Sequence, residues 1–108
     1  MVSRPLTEPT FLVLAALAAG PRHGYGVIGE VAELSGGRVR LRVGTLYGVL
    51  DRLVAEGRVA PDREEVHAGR LRRYYRLTDD GRRALEAEVA RQETNVRAVR
   101  TRLVLRPA

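Results

Sequence analysis

The chain has no cysteine, no lysine and no tryptophan, and a single phenylalanine among its 108 residues. Without cysteine there can be no disulfide framework, no thiolate zinc site and no thiol nucleophile. The two histidines, His23 and His67, are far apart in sequence. Metal sites need clustered ligands, so no metal is expected, although Glu64 and Glu65 lie near His67. No Ser-His-acid arrangement and no phosphate-cradling glycine loop is present. The Gly-x-Gly at Gly24 to Gly26 follows no strand signal and lacks a lysine, so neither an enzyme nor a cofactor is expected. The longest apolar run, Phe11 to Ala19, falls well short of the roughly 20 residues that span a bilayer. The N-terminus lacks the charged-then-apolar layout of a secretion signal, and a cytoplasmic location is expected.

What remains is a balance of 44% hydrophobic and 30% charged residues, ordinary for one globular domain with a modest core. The formal charge of +6 and pI near 10.9 point to a polyanionic partner, nucleic acid ahead of an acidic membrane surface. All 19 basic residues are arginine. Arginine suits bidentate contacts to phosphate and guanine, but a GC-rich coding bias produces the same imbalance. Placement must therefore decide what the charge means.

Placement comes from the order of elements. Thr7-Glu8-Pro9 offers a cap, a first-turn acid and an early proline, starting a helix to about Ala19, where Gly20-Pro21 stops it. That helix is apolar nearly all round, so it is expected to serve the core and a second surface. A second helix opens at His23-Gly24-Tyr25-Gly26 and runs to about Leu34, with Tyr25, Ile28, Val31 and Ala32 on its apolar face. Val39 and Leu41 alternate with Arg38, Arg40 and Arg42, which predicts a short strand. A third helix follows from Gly44 to Glu56, buried along Leu46, Leu50, Leu53 and Val54. Arg58 to about Val66 and Arg70 to Leu77 flank the Gly-containing tip His67-Ala68-Gly69 and predict a hairpin. Thr78, Asp79 and Asp80 then start a last helix. Its residues Leu85, Val89, Gln92, Val96, Val99 and Leu103 alternate spacings of four and three. So short a chain has no spare core to cover that seam, so a second copy is expected to cover it.

The predicted fold is mostly α with a small antiparallel β-wing: a winged helix-turn-helix over residues 1–77 and a dimerisation helix over 78–108, continuous with it as one structural unit. Its most informative stretch is GRLRRYYRLTDDG, Gly69 to Gly81, where Arg70, Arg72, Arg73 and Arg76 share a strand with Tyr74 and Tyr75. A cationic hairpin strand leading into a helix suits a wing laid on a phosphate backbone.

Three segments carry a resemblance. GPRHGYGV (Gly20 to Val27), GTLYGVLDRLVAEGRV (Gly44 to Val59) and GRLRRYYRLTDDG together resemble the PadR family of bacterial transcriptional regulators, in its small C-terminal subgroup. The resemblance implies a homodimer that binds a palindromic operator in double-stranded DNA and represses transcription, the third helix in the major groove and the wing on the minor groove or backbone. It also implies a small apolar or aromatic effector at the dimer interface, although no aromatic-rich pocket is visible in the sequence. The chain departs from the family in carrying Gly48 where proline is usual after GTLY, and Arg42-Val43 where a small capping residue is often found. Those departures bear on the operator sequence, and Arg42 is inferred to reach a phosphate instead of capping.

The residues expected to meet DNA are Arg22, His23 and Tyr25 at the start of the second helix, Arg42, Thr45, Tyr47, Gly48 and Arg52 on or before the third, and Arg70 and Arg72 on the wing. For Tyr47 and His23 a packing or capping role is the alternative. For Arg73 and Arg76 it is pairing with Asp62, Glu64 or Glu65 across the hairpin. Pairing of protomers is expected through Phe11, Leu14 and the seam from Leu85 to Leu103, where Gln92 either sets register or lies at a solvated rim. A winged-helix protein-interaction module without DNA binding is the chief rival reading. An RNA-binding winged helix is a second.

Overall fold

The computed structural model describes residues 4–106; the outermost ends of the two expected segments lie outside the described residues. The elements run α1 (Glu8–Ala16), β1 (Arg22–His23), α2 (Gly24–Leu34), α3 (Val43–Ala55), β2 (Val59–His67), β3 (Arg70–Leu77) and α4 (Asp79–Leu105). The three strands form one antiparallel sheet in the order β1-β3-β2. This is a winged helix-turn-helix with a long helix appended.

The Thr7 side chain accepts from the Thr10 amide, as a capping hydroxyl should. Leu17 and Ala18 then bond back only three residues, to Leu14 and Ala15, so the helix tightens and ends earlier than Ala19. Leu12, Val13, Leu14, Ala16 and Leu17 are all buried, and α1 contacts α2, α3 and α4. Its all-round apolarity reflects a central position. Leu14, grouped by sequence with the pairing surface, has no exposed surface; it is spent inside its own protomer. Around α1 close Val27 and Val31 from α2, and Leu46, Val49, Leu50 and Leu53 from α3. Each such side chain contributes about 1.5–3 kcal/mol on burial.

Two expectations need correction. No strand forms over residues 38–42. The Ser35 hydroxyl instead accepts from the Val39 amide at 2.9 Å, and Arg38 reaches Glu8 at 2.8 Å, so the segment is held as a loop. Val39 and Leu41 still turn inward against the core. The third strand comes from Arg22–His23, paired to Tyr75 and Tyr74. Tyr25 does not share the buried face of α2, which runs through Gly24, Val27 and Val31; the residue is 66% exposed.

The wing tip is a two-residue turn, Ala68-Gly69, between the paired His67 and Arg70. Both turn residues have positive φ, the backbone sign of the hairpin turns that match strand twist. At the wing's other end, Thr78 caps α4 by accepting from the Gly81 amide at 3.0 Å. Its own hydroxyl donates to the Gly57 carbonyl at 2.7 Å, and its amide donates to the Arg58 carbonyl at 3.1 Å. Gly81 is buried there, and a Cβ on it would stand 2.0 Å from the Arg58 carbonyl oxygen. The α4 helix is docked further by Arg82, which donates to the Ala18 carbonyl at 3.1 Å. Glu88 also docks it: this carboxylate is only 4% exposed and takes the Leu6 amide at 2.9 Å, the Gln92 amide group at 3.1 Å and Arg91.

The Leu6 N–H, aided by Gln92 and Arg91, holds the Glu88 carboxyl below the usual carboxylate range against the opposing effect of burial. The unfolded chain therefore takes up this proton first, so falling pH favours unfolding. Glu88 is expected to contribute stability at neutral pH that is lost as pH drops below about 4, the ordinary glutamate range. In urea titrations across acid pH, Glu88→Gln should flatten the pH dependence; an unchanged slope would refute the assignment.

The glycines give a second expectation. Gly81→Ala should destabilise by about 2–3 kcal/mol through forced backbone movement. Gly48→Ala, with nothing within 4 Å of the added carbon, should stabilise α3 by up to about 1 kcal/mol. Denaturant midpoints of the two variants should move in opposite directions.

Candidate nucleic-acid interface

Three elements meet in a groove of about 780 Å³. The start of α2 supplies His23, Gly24 and Tyr25, α3 supplies Tyr47 and Asp51, and the wing supplies His67, Arg70, Leu71 and Arg72. Five of the ten residues expected to meet DNA thus line one groove: His23, Tyr25, Tyr47, Arg70 and Arg72. Arg42, Thr45, Gly48 and Arg52 lie exposed along α3, outside it. Arg22 is set apart. Its Nε donates to the Ala16 carbonyl at 2.8 Å and its guanidinium pairs with Glu30 at 3.3 Å, so it ties α1 to α2.

Tyr47 reaches the groove because α2 leaves room for it. A Cβ on Gly24 would lie 2.6 Å from the Tyr47 hydroxyl and 3.0 Å from Cζ. On the far side Tyr75 is buried, and that burial, with the neighbouring Tyr47 and Asp51, pushes its hydroxyl pKa up. Tyr47 is 37% exposed, with its hydroxyl end set against Gly24.

The wing sorts its arginines. Arg73 stands 3.5 Å from Glu64 and Arg76 stands 3.9 Å from Asp62. Arg63 donates to Glu65 at 2.7 Å and lies over the Tyr74 ring at 4.0 Å. Exposed pairs of this kind add little stability, but they do cancel charge locally. Among the described residues, Arg70 and Arg72 form no ion pair. The outer strand's acids therefore leave the cationic field to the two arginines nearest the tip.

His23 links these parts. Its Nδ1 accepts from the Gly26 amide at 3.2 Å, capping α2. Its ring meets Tyr74 edge-on at 5.3 Å, and its Nε2 stands 3.4 Å from Arg72 Nη1. Burial first, then the charges of Arg72 and His67, push its pKa below the usual histidine value, with Glu65 opposing. The imidazole is neutral at physiological pH.

Sequence reasoning missed Leu71 and His67 as lining residues. Leu71 pairs with Val66 across the hairpin, and both are largely exposed. Strand alternation puts Leu71 on the same face as Tyr75, and that signal was available. His67 carried no signal beyond its place at the tip. Arg42 begins α3 without a side-chain cap bond, as its residue type predicts.

Comparison with known proteins supplies an independent reading. The family model described as the transcriptional regulator PadR-like family matches residues 13–87. A PadR family transcriptional regulator from Eggerthella lenta superposes with a TM-score of 0.70 at 26% identity, covering 89% of this chain and 84% of that one. Bacillus subtilis PadR in complex with operator DNA superposes with a TM-score of 0.65 at 23% identity, over 74% of this chain and 45% of that one. An uncharacterized 37.1 kDa protein in transposon TN4556 of Streptomyces fradiae is 47% identical over 81 residues. This match takes in 75% of the present chain but only 22% of that relative's length.

The steric fit of Gly24 to Tyr47 is directly testable. Gly24→Ala should shift the Tyr47 ring resonances and destabilise by about 1–3 kcal/mol. A variant of native stability with unmoved Tyr47 signals would show that the ring does not depend on this gap.

Proposed function

The chain belongs to the PadR-like family of transcriptional regulators, and on that premise we propose that it is a DNA-binding repressor acting as a homodimer on a palindromic operator. The supporting observation is the convergence of the free wing arginines, Arg70 and Arg72, with the exposed α3 side chains beside one groove. Thr45, Tyr47 and Arg52 present a hydroxyl, a phenol and a guanidinium, types that suit base edges and phosphates. Gly48 leaves bare backbone among them, which permits close approach. Arg42 extends the cationic edge at the start of α3.

Pairing rests on α4. It is 27 residues long, about 40 Å of helix. Val89 is 38% exposed, and exposure then rises through Val96 at 50%, Val99 at 57% and Leu103 at 70%. Exposed apolar stripes of that length mark interaction surfaces, and a second α4 matches this one in length and periodicity. Phe11, half-buried at the core's edge, borders the proposed interface. Two protomers so joined present two α3 helices and two wings, the arrangement that reads two half-sites about one helical turn apart.

Counterion release sets the quantitative test. If about six to ten phosphates are neutralised, log K should fall against log salt with a slope of about −5 to −9. Fluorescence anisotropy with a mixed-sequence duplex measures it, and salt-independent binding would exclude the phosphate assignment. Selection from random duplexes should return a symmetric consensus. Val96→Glu should yield a folded monomer by light scattering and weaken duplex binding by at least about tenfold, since half the contacts are lost.

A further inference from the structure

The two contacts of the His23 ring cannot both be ordinary hydrogen bonds. The Gly26 amide donates to Nδ1 at 3.2 Å, and the Arg72 guanidinium faces Nε2 at 3.4 Å. A neutral imidazole has one acceptor nitrogen and one N–H. The Gly26 contact is the shorter, and the extended backbone of His23, φ −83° and ψ 169°, places it as a helix cap. Nδ1 is therefore the acceptor and the proton lies on Nε2. That proton and the Arg72 guanidinium are then two donors facing each other.

Two donor atoms 3.4 Å apart can share one oxygen lying at hydrogen-bond distance from both. Among the described residues no protein oxygen accepts from either group. Glu65, the acid whose charge both groups sense, is engaged by Arg63 at 2.7 Å. Neither donor is buried without a partner, so both stay open to an acceptor from solvent or from a ligand. Both residues line the groove beside α3.

We propose that His23 Nε2–H and Arg72 together form a two-donor seat for a single phosphodiester oxygen of the bound duplex. This rests on the DNA-binding reading above. The seat has a built-in anchor: the nitrogen that caps α2 fixes the tautomer, so the donor is aimed before DNA arrives. Edge-on packing against Tyr74 at 5.3 Å fixes the ring plane. His23 acts as a neutral donor and releases no counterion, whereas Arg72 does.

The different charges give the two residues different signatures. His23→Asn retains a side-chain oxygen able to cap α2 but lacks the distal N–H. It should weaken duplex binding about fivefold with the salt slope unchanged. Arg72→Gln should weaken binding and make the slope shallower by about 0.9. Because both serve one oxygen, the double variant should bind little worse than Arg72→Gln alone. Losses that multiply would overturn the shared seat.

Nitrogen NMR of the native protein removes any dependence on variant folding. The free protein should show the Nε2–H tautomer of His23. Adding a mixed-sequence duplex about two helical turns long should shift Nε2 and leave Nδ1 an acceptor. An Nδ1–H tautomer overturns the inference. So does a stationary Nε2 while Thr45, Tyr47 and Arg70 signals move, an outcome that leaves the DNA reading standing. No shift anywhere would overturn both. Inorganic phosphate at matched phosphate concentration should leave Nε2 unmoved; an equal shift would make this a free-anion site and overturn the phosphodiester assignment.

Discussion

The start of α4 lies so close to the base of the wing that no side chain fits between them. Gly81 faces the Arg58 carbonyl with no space for even a methyl group, while Thr78 bonds the Gly57 and Arg58 backbone from the same turn. A contact made of backbone and one short hydroxyl has no soft rotamers to absorb displacement. The direction in which α4 leaves the body is thus set by the wing, and the wing by α4. Glu88 and Arg82 repeat the constraint further along, reaching Leu6 and the Ala18 carbonyl. If α4 joins two protomers, the spacing of their wings follows from this junction. A change in how the helices cross would be carried to the wing as a rigid rotation.

Charge in this protein is informative only where it is left uncancelled. The net +6 includes arginines committed to the protein itself: Arg22 to Ala16 and Glu30, Arg38 to Glu8, Arg91 to Glu88. On the wing, Asp62, Glu64 and Glu65 occupy Arg63, Arg73 and Arg76. Such exposed pairs contribute little to folding. They do narrow the cationic surface to Arg70 and Arg72 near the tip, with Arg42 and Arg52 on the α3 side. Arginines outside this surface, such as Arg40, Arg97 and Arg100, also lack ion-pair partners among the described residues, so it is the wing's own pairing that singles out Arg70 and Arg72 there.

Much of the fold was legible because its signals are local. Thr7 and Thr78 read as caps and act as caps. Leu46, Leu50 and Leu53 read as a buried stripe and are buried, and the hairpin falls within a residue of its expected bounds. The failures share a cause. A two-residue strand such as Arg22–His23 has no periodicity to detect; only the partner strand's Tyr74 and Tyr75 define it. The alternation at Val39 and Leu41 was real, but it reports inward-facing side chains, which a loop pinned by Ser35 also provides. Leu14 could not be told from Phe11 because α1 is apolar on every side. At the site, the cationic wing and the His23 start were legible as types. The engagement of Arg22 by Ala16 and Glu30 was not, because it depends on a turn that brings residues six and eight apart together.

On the proposed reading, the site divides its labour between groups that hold and groups that orient. Arg70 and Arg72 carry full charge, and their attraction to phosphate acts at a distance and weakens with salt. His23, Thr45 and Tyr47 are neutral donors whose contribution requires contact and correct angles. Two of these are positioned by packing: His23 by its cap bond to Gly26 and the edge of Tyr74, Tyr47 by the gap at Gly24. These supports converge on the first turn of α2. That turn is itself held by Arg22 against α1, and its strand pairs with the wing. A disturbance there would misalign the neutral donors while leaving the arginines charged and exposed. Affinity for any duplex would then persist longer than discrimination among duplexes, since long-range attraction tolerates disorder that hydrogen-bond geometry does not.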